Sequence, residues 1–70
     1  MDMTLTLTIN GEIEHHPAET SVLELVKQRV GNPQKGIAVA KNGRIVNRSH
    51  WNESLANGDE IEIIIASQGG

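Results

Sequence analysis

Thr4-Leu5-Thr6-Leu7-Thr8-Ile9-Asn10-Gly11-Glu12-Ile13-Glu14-His15-His16-Pro17 is the stretch that decides the fold. Leu5, Leu7 and Ile9 alternate with Thr4, Thr6 and Thr8, the period-two pattern of a half-buried strand. Asn10-Gly11 follows directly. Both central residues of a type I′ turn need positive φ, which Asn and Gly accept most readily, so this dipeptide predicts a tight hairpin. Glu12 to His16 is then the returning strand, with Ile13 expected as its inward residue. Pro17 ends it, because proline has no N–H to give to a ladder.

Working outward, the next segment is a helix. Ser21 and Glu24 have the S-x-x-E spacing of a capping box. Val22, Leu25, Val26 and Val30 recur on one face, and Leu23 broadens the stripe. Gly31 and Pro33 are the stop signals, which places the helix over 22 to 30. Ile37 to Lys41 reads as a third strand, Asn42-Gly43 as a second tight turn, and Arg44 to Asn47 as a fourth strand. From Arg48 to Ala56 no period is clean. This segment is expected to be a loop with at most one helical turn, Trp51 and Leu55 pointing inward. After Asn57-Gly58-Asp59, Glu60 to Ala66 forms the last strand, with Ile61, Ile63 and Ile65 as its buried face.

One helix can close one face of one sheet in a chain of 70 residues. The expected class is α+β. The architecture is a β-grasp (ubiquitin-like) domain over residues 1–66: a mixed sheet of four to five strands with one main helix. The first hairpin and the last strand are expected to lie centrally together. Residues 67–70 form a flexible tail.

Composition narrows the chemistry. There is no cysteine, so disulfides, Cys-based zinc sites and thiol nucleophiles are excluded within these residues. The net charge of −3 and a single aromatic, Trp51, argue against nucleic acid as a partner. The longest apolar runs, Ile37 to Ala40 and Ile63 to Ala66, are four residues each, far short of the ~20 residues of a membrane helix. Met1-Asp2-Met3-Thr4 has no basic start and no apolar block, so it does not read as a signal peptide. A cytoplasmic protein, monomeric when free, is expected.

No nucleophile, base and orienting group can be assembled from spacing. Adjacent histidines on a strand point to opposite faces, so His15 and His16 are not expected to share a metal ion with each other or with His50. Lys41, Arg44 and Arg48 cluster around the second hairpin, either as a solvated face or as a steering patch for an acidic partner. Ile64 has the parity of the outer face. With Ala66 it is a candidate docking patch for a partner beside the tail.

The tail carries the chemistry. Gly69-Gly70 has no Cβ and can thread a narrow channel into another protein's active site. It presents an α-carboxylate, ionised at neutral pH. A carboxylate is a poor electrophile until it is coupled to AMP. Once so activated, it can be attacked by a sulfur nucleophile, which would displace AMP and lead to a C-terminal thiocarboxylate.

Several runs occur together: Gly36-Ile37-Ala38-Val39-Ala40-Lys41-Asn42-Gly43, Ile45-Val46, Arg48-Ser49-x-Trp51, Leu55, Asn57-Gly58-Asp59-x-Ile61-Glu62-Ile63 and Gln68-Gly69-Gly70. Ile9-Asn10-Gly11-Glu12 and Thr20-Ser21-Val22 with Leu25 precede them. In this order they resemble the ThiS family of thiamine-pathway sulfur carriers. The Arg-Ser-x-Trp segment with a Gln-Gly-Gly end favours that family over the molybdopterin-synthase small subunit. The chain departs from the family at the longer polar loop 31–35, at Asn47 and at Ser67.

The resemblance implies a carrier that is not an enzyme and binds no cofactor of its own. An E1-like adenylating enzyme resembling ThiF would use ATP to adenylate Gly70. A cysteine desulfurase pathway would supply sulfur. A thiazole synthase resembling ThiG would accept it. Ser67, Gln68 and Gly69 would enter the partner active site. A carrier for molybdopterin or cysteine synthesis, a ubiquitin-like protein modifier and an inert interaction module remain as alternatives.

Overall fold

The structure, a computed structural model, describes residues 3–30 and 36–65. Strands β1 (Thr4–Ile9) and β2 (Glu12–Pro17) form the first hairpin, antiparallel from Ile9↔Glu12 to Thr4↔Pro17. Asn10 and Gly11 have φ of 52° and 86°, the double positive that the turn requires.

That turn corrects one expectation. A two-residue turn makes Ile9 and Glu12 direct neighbours, and directly opposed residues share a face. The inward set is therefore Leu5, Leu7 and Ile9 on β1, with His16, Glu14 and Glu12 opposite them. Ile13 lies opposite Thr8 on the outer face and is 70% exposed, so it is not an inward residue. Polar groups take the inner side of β2 instead. Arg29 donates to both carboxylate oxygens of Glu14, and His16 Nε2 lies 2.9 Å from Glu14 Oε1. The Arg29 guanidinium first, and the His16 ring second, hold the Glu14 carboxyl below the usual glutamate range.

Helix α1 (Val22–Val30) follows with its capping box formed. Glu24 N–H donates to Ser21 Oγ at 3.3 Å, and Ser21 N–H donates to Glu24 Oε1 at 3.2 Å. A second helix-start donor, Leu23 N–H, reaches the Trp51 carbonyl at 2.9 Å. Val22, Leu25 and Val26 are buried. The expected stop signals Gly31 and Pro33, and the loop 31–35, lie outside the described residues.

Strands β3 (Ile37–Lys41), β4 (Arg44–Ile45) and β5 (Glu60–Ile65) complete a mixed sheet of order β2-β1-β5-β3-β4. β5 lies in the centre, parallel to β1 and antiparallel to β3. Only β1 of the first hairpin is its neighbour; β2 is an edge strand. β4 is shorter than the expected 44–47. Val46 N–H still donates to the Val39 carbonyl at 2.8 Å, after which the chain turns into a 3-10 turn at Arg48–His50.

Leu7, Ile9, Leu25, Val26, Val39, Ile61 and Ile63 pack together as the core, closed by Trp51 and Leu55. Trp51 Nε1 donates to the Val46 carbonyl at 3.1 Å, which satisfies its one polar atom. Ile65 departs from expectation. It shares the inward parity of Ile61 and Ile63 yet is 59% exposed. The β1 pairing ends at Ile9↔Ile61, so the last residue of β5 is flanked by β3 alone, through Ile37. Among the described residues no helix is long and apolar enough to cross a membrane.

Candidate functional site

The residues singled out at the tail, Ser67, Gln68, Gly69 and Gly70, lie outside the described residues, as does Ala66. The structure does describe the strand that leads to them. β5 is gripped on both sides by the Asn10-Gly11 and Asn42-Gly43 turns. On the β1 side, Asn10 N–H donates to the Ile61 carbonyl at 2.9 Å. The Asn10 carboxamide then continues the ladder by one step: Ile63 N–H donates to Oδ1 at 2.8 Å, and Nδ2 donates to the Ile63 carbonyl at 3.4 Å. On the β3 side, Asn42 N–H donates to the Glu60 carbonyl at 2.8 Å, and Glu60 N–H donates to Asn42 Oδ1 at 2.9 Å. Asn42 Nδ2 also reaches Asp59 Oδ1 at 3.0 Å.

Each asparagine therefore does two jobs. Its backbone takes the positive φ of the turn, and its side chain holds β5: the Asn10 carboxamide mimics a peptide group, while Asn42 accepts from Glu60 N–H and donates to the Asp59 side chain. Sequence reasoning found the turns and missed the clamps. The available signal was chemical: Asn offers both a donor and an acceptor in the shape of a peptide, which Asp and Gly do not.

Ile64 is where its parity placed it, on the outer face opposite Ala38, and it is 53% exposed. Ile13 and Ile45 stand on the same face, 70% and 68% exposed. The sequence pattern suggests Ile13 as an inward residue and gives Ile45 no face. Counting register outward from both turns would have found the pair.

His15 and His16 point to opposite faces. His15 Nδ1 lies 3.3 Å from Thr6 Oγ1 on the outer side, while His16 joins Glu14 on the inner side. His50 is distant from both in its contacts, with Nδ1 at 2.7 Å from Glu53 Oε2. The His50 ring lowers the Glu53 carboxyl, with a smaller contribution from the charge of Lys41. Among the described residues no three His, Asp or Glu side chains converge as metal ligands. Lys41 and Arg44 stand directly opposite each other in the second hairpin. Arg48 is elsewhere, its guanidinium 4.7 Å from the Trp51 ring centroid. The Arg-Ser-x-Trp segment is thus a structural unit: it plugs the core, caps the helix and stacks a cation over its own indole.

Residues 5–70 match the family model described as the ThiS family. Among solved structures, the thiamine biosynthesis protein ThiS from Geobacter metallireducens is similar, with 27% sequence identity and a TM-score of 0.70. That likeness covers 97% of this chain and 100% of the other. The shared architecture is the β-grasp fold. No curated protein matches the chain in sequence.

Proposed function

The chain belongs to the ThiS family of thiamine-biosynthesis sulfur carriers, which are not enzymes, and from that premise we propose that the Gly70 carboxylate is its sulfur-carrying group. The observation that carries the reading is the extent of the family match, which runs through Gln68-Gly69 to Gly70 itself. The clamped centre of the sheet supports it. β5 leads toward the tail from a strand held on both sides, so the last residues start from a fixed point.

An E1-like, ThiF-like enzyme adenylates Gly70 with ATP and releases pyrophosphate. A persulfide fed by a cysteine desulfurase displaces AMP to give an acyl disulfide, and a second thiol of the sulfur-supplying partner attacks that S–S bond, forming a disulfide and releasing the thiocarboxylate. A ThiG-like thiazole synthase takes the sulfur, and the carrier returns with its carboxylate restored. Ser67, Gln68 and Gly69 occupy the partner's channel, where the absence of Cβ atoms at the two glycines keeps the thread thin. Ile64 and Ala66 dock on the adenylating enzyme beside that channel. The carrier works in the cytoplasm as a monomer between encounters.

The test is intact-protein mass spectrometry after incubation with a ThiF-like enzyme, ATP and a sulfur donor. Replacement of one carboxylate oxygen by sulfur is expected in the wild-type chain. Deletion of Gly70 is expected to abolish the product and leave the unfolding transition unchanged. Thiazole formation supported by the truncated chain would refute the proposal. Conjugates of higher mass, joined to lysine of another protein, would point to a modifier instead.

A further inference from the structure

The second hairpin breaks a rule that the rest of the sheet obeys. Lys41 and Arg44 are directly opposed across β3 and β4. Opposed residues share a face, and like charges in that position destabilise a strand pair. The pair sits on the weakest strand of the sheet, which is two residues long and forms one edge. Among the described residues neither cation makes an ion pair or a side-chain hydrogen bond. In a chain of net charge −3, ample carboxylates exist to neutralise both, yet none among the described residues is bonded to them.

The two cations open onto a groove of about 260 Å³ between the hairpin, the start of α1 and the 46–55 segment. Its floor is apolar, formed by the buried Val22 and Leu55. Across from the cations stands the His50–Glu53 pair. An apolar floor under two cations with no carboxylate bonded among the described residues, beside an edge strand, suits an extended chain better than a compact ion. We propose that this groove is a docking site for an extended acidic segment of a partner protein, with its carboxylates at Lys41 and Arg44 and its apolar side chains on Val22 and Leu55.

The Glu53 carboxyl in the same groove is held below the usual range chiefly by the His50 ring, with the Lys41 charge the smallest contribution. The bland account of Arg44 is that of an edge guard, a charge that prevents sheets from joining edge to edge. It does not explain Lys41, which lies on the interior strand β3. The site is independent of the tail chemistry and lies on a different face from Ile64.

The experiment is a two-dimensional ¹⁵N NMR titration of the full chain with a blocked hexapeptide alternating Glu and Val. A Gln/Val hexapeptide and inorganic phosphate serve as controls. Shifts are expected for the amides of residues 41–47 and 50–53 with the acidic peptide alone. R44Q and K41Q are each expected to weaken binding by about threefold, the scale of one exposed charge pair. R44Q is also expected to raise Tm, because it removes the repulsion. If R44Q self-associates, K41Q, which is off the edge strand, decides the binding question. Equal shifts with the Gln peptide, equal binding of phosphate, unchanged affinity in K41Q or a lowered Tm in a monomeric R44Q would each overturn the proposal.

Discussion

Replacing Asn10 by Gly tests whether the first turn is also a clamp. Glycine adopts the φ of 52° at this position without strain, so the turn survives and only the carboxamide is lost. The loss is two hydrogen bonds to Ile63, one well formed at 2.8 Å and one marginal at 3.4 Å. A net hydrogen bond contributes about 0.5–1.5 kcal/mol, so the pair together is expected to cost about 1–2 kcal/mol. For a domain of this size, each kcal/mol moves Tm by roughly 4–8 °C. Urea unfolding followed through Trp51 fluorescence gives the global number. Amide hydrogen exchange at Ile63 gives the local one, and a large loss of protection is expected there. Asn10→Asp keeps the acceptor for Ile63 N–H and removes the donor, so it should fall between wild type and Asn10→Gly. If Asn10→Gly leaves both the urea midpoint and Ile63 exchange unchanged, the clamp is not a contributor, and the account of how β5 is fixed fails.

Three further expectations follow from the same geometry. Glu14 has its folded-state carboxyl pKa depressed by Arg29 and His16, so its pairing stabilises the protein above the ordinary glutamate value near 4.5 and is lost as pH falls through the depressed folded value. Glu14→Gln should flatten the acid limb of the stability–pH curve by about 1 kcal/mol at most, given the partial exposure of the pair; an unchanged limb would contradict the assignment. Ile13→Thr should change stability by less than about 0.5 kcal/mol because the side chain is on the surface, whereas Leu25→Ala should cost about 2–5 kcal/mol because Leu25 is fully buried. Chemical denaturation of the two variants side by side tests the corrected register directly. Ile64→Asp should leave the fold intact and weaken binding to the adenylating enzyme several-fold; calorimetric titration with equal affinity would remove Ile64 from the docking surface.

Local rules were enough where the chain talks to its near neighbours. The Asn-Gly turns, the Ser21–Glu24 cap and the helix over 22–30 depend on residues a few positions apart, and the sequence states those interactions outright. The alternation in β1 named Leu7 and Ile9 as core, and both are buried. The family, too, was legible, because Arg48-Ser49-x-Trp51 and Gln68-Gly69-Gly70 are specific strings. The register of β2 was also legible in principle. The same turn that predicted the hairpin fixes Ile9 opposite Glu12, and hence Ile13 outside. An isolated Ile in a polar strand attracts an inward assignment because hydrophobicity outweighs geometry in a pattern reading.

What the sequence by itself determined was the set of elements, their order and most of the core. Only the tertiary structure decided which groups separated by tens of residues share a neighbourhood. Asn10 meets Ile63, Trp51 caps the helix at Leu23, and Val22 and Leu55 come together as one floor beside the second hairpin. These contacts have no period and no fixed spacing. They arise when burial of the apolar face brings distant segments together, and polar groups then pair with whatever the packing has placed within reach. Ile65 makes the same point in reverse. Its parity is that of the core, but the β1 pairing ends at Ile61, and among the described residues only β3 flanks Ile65.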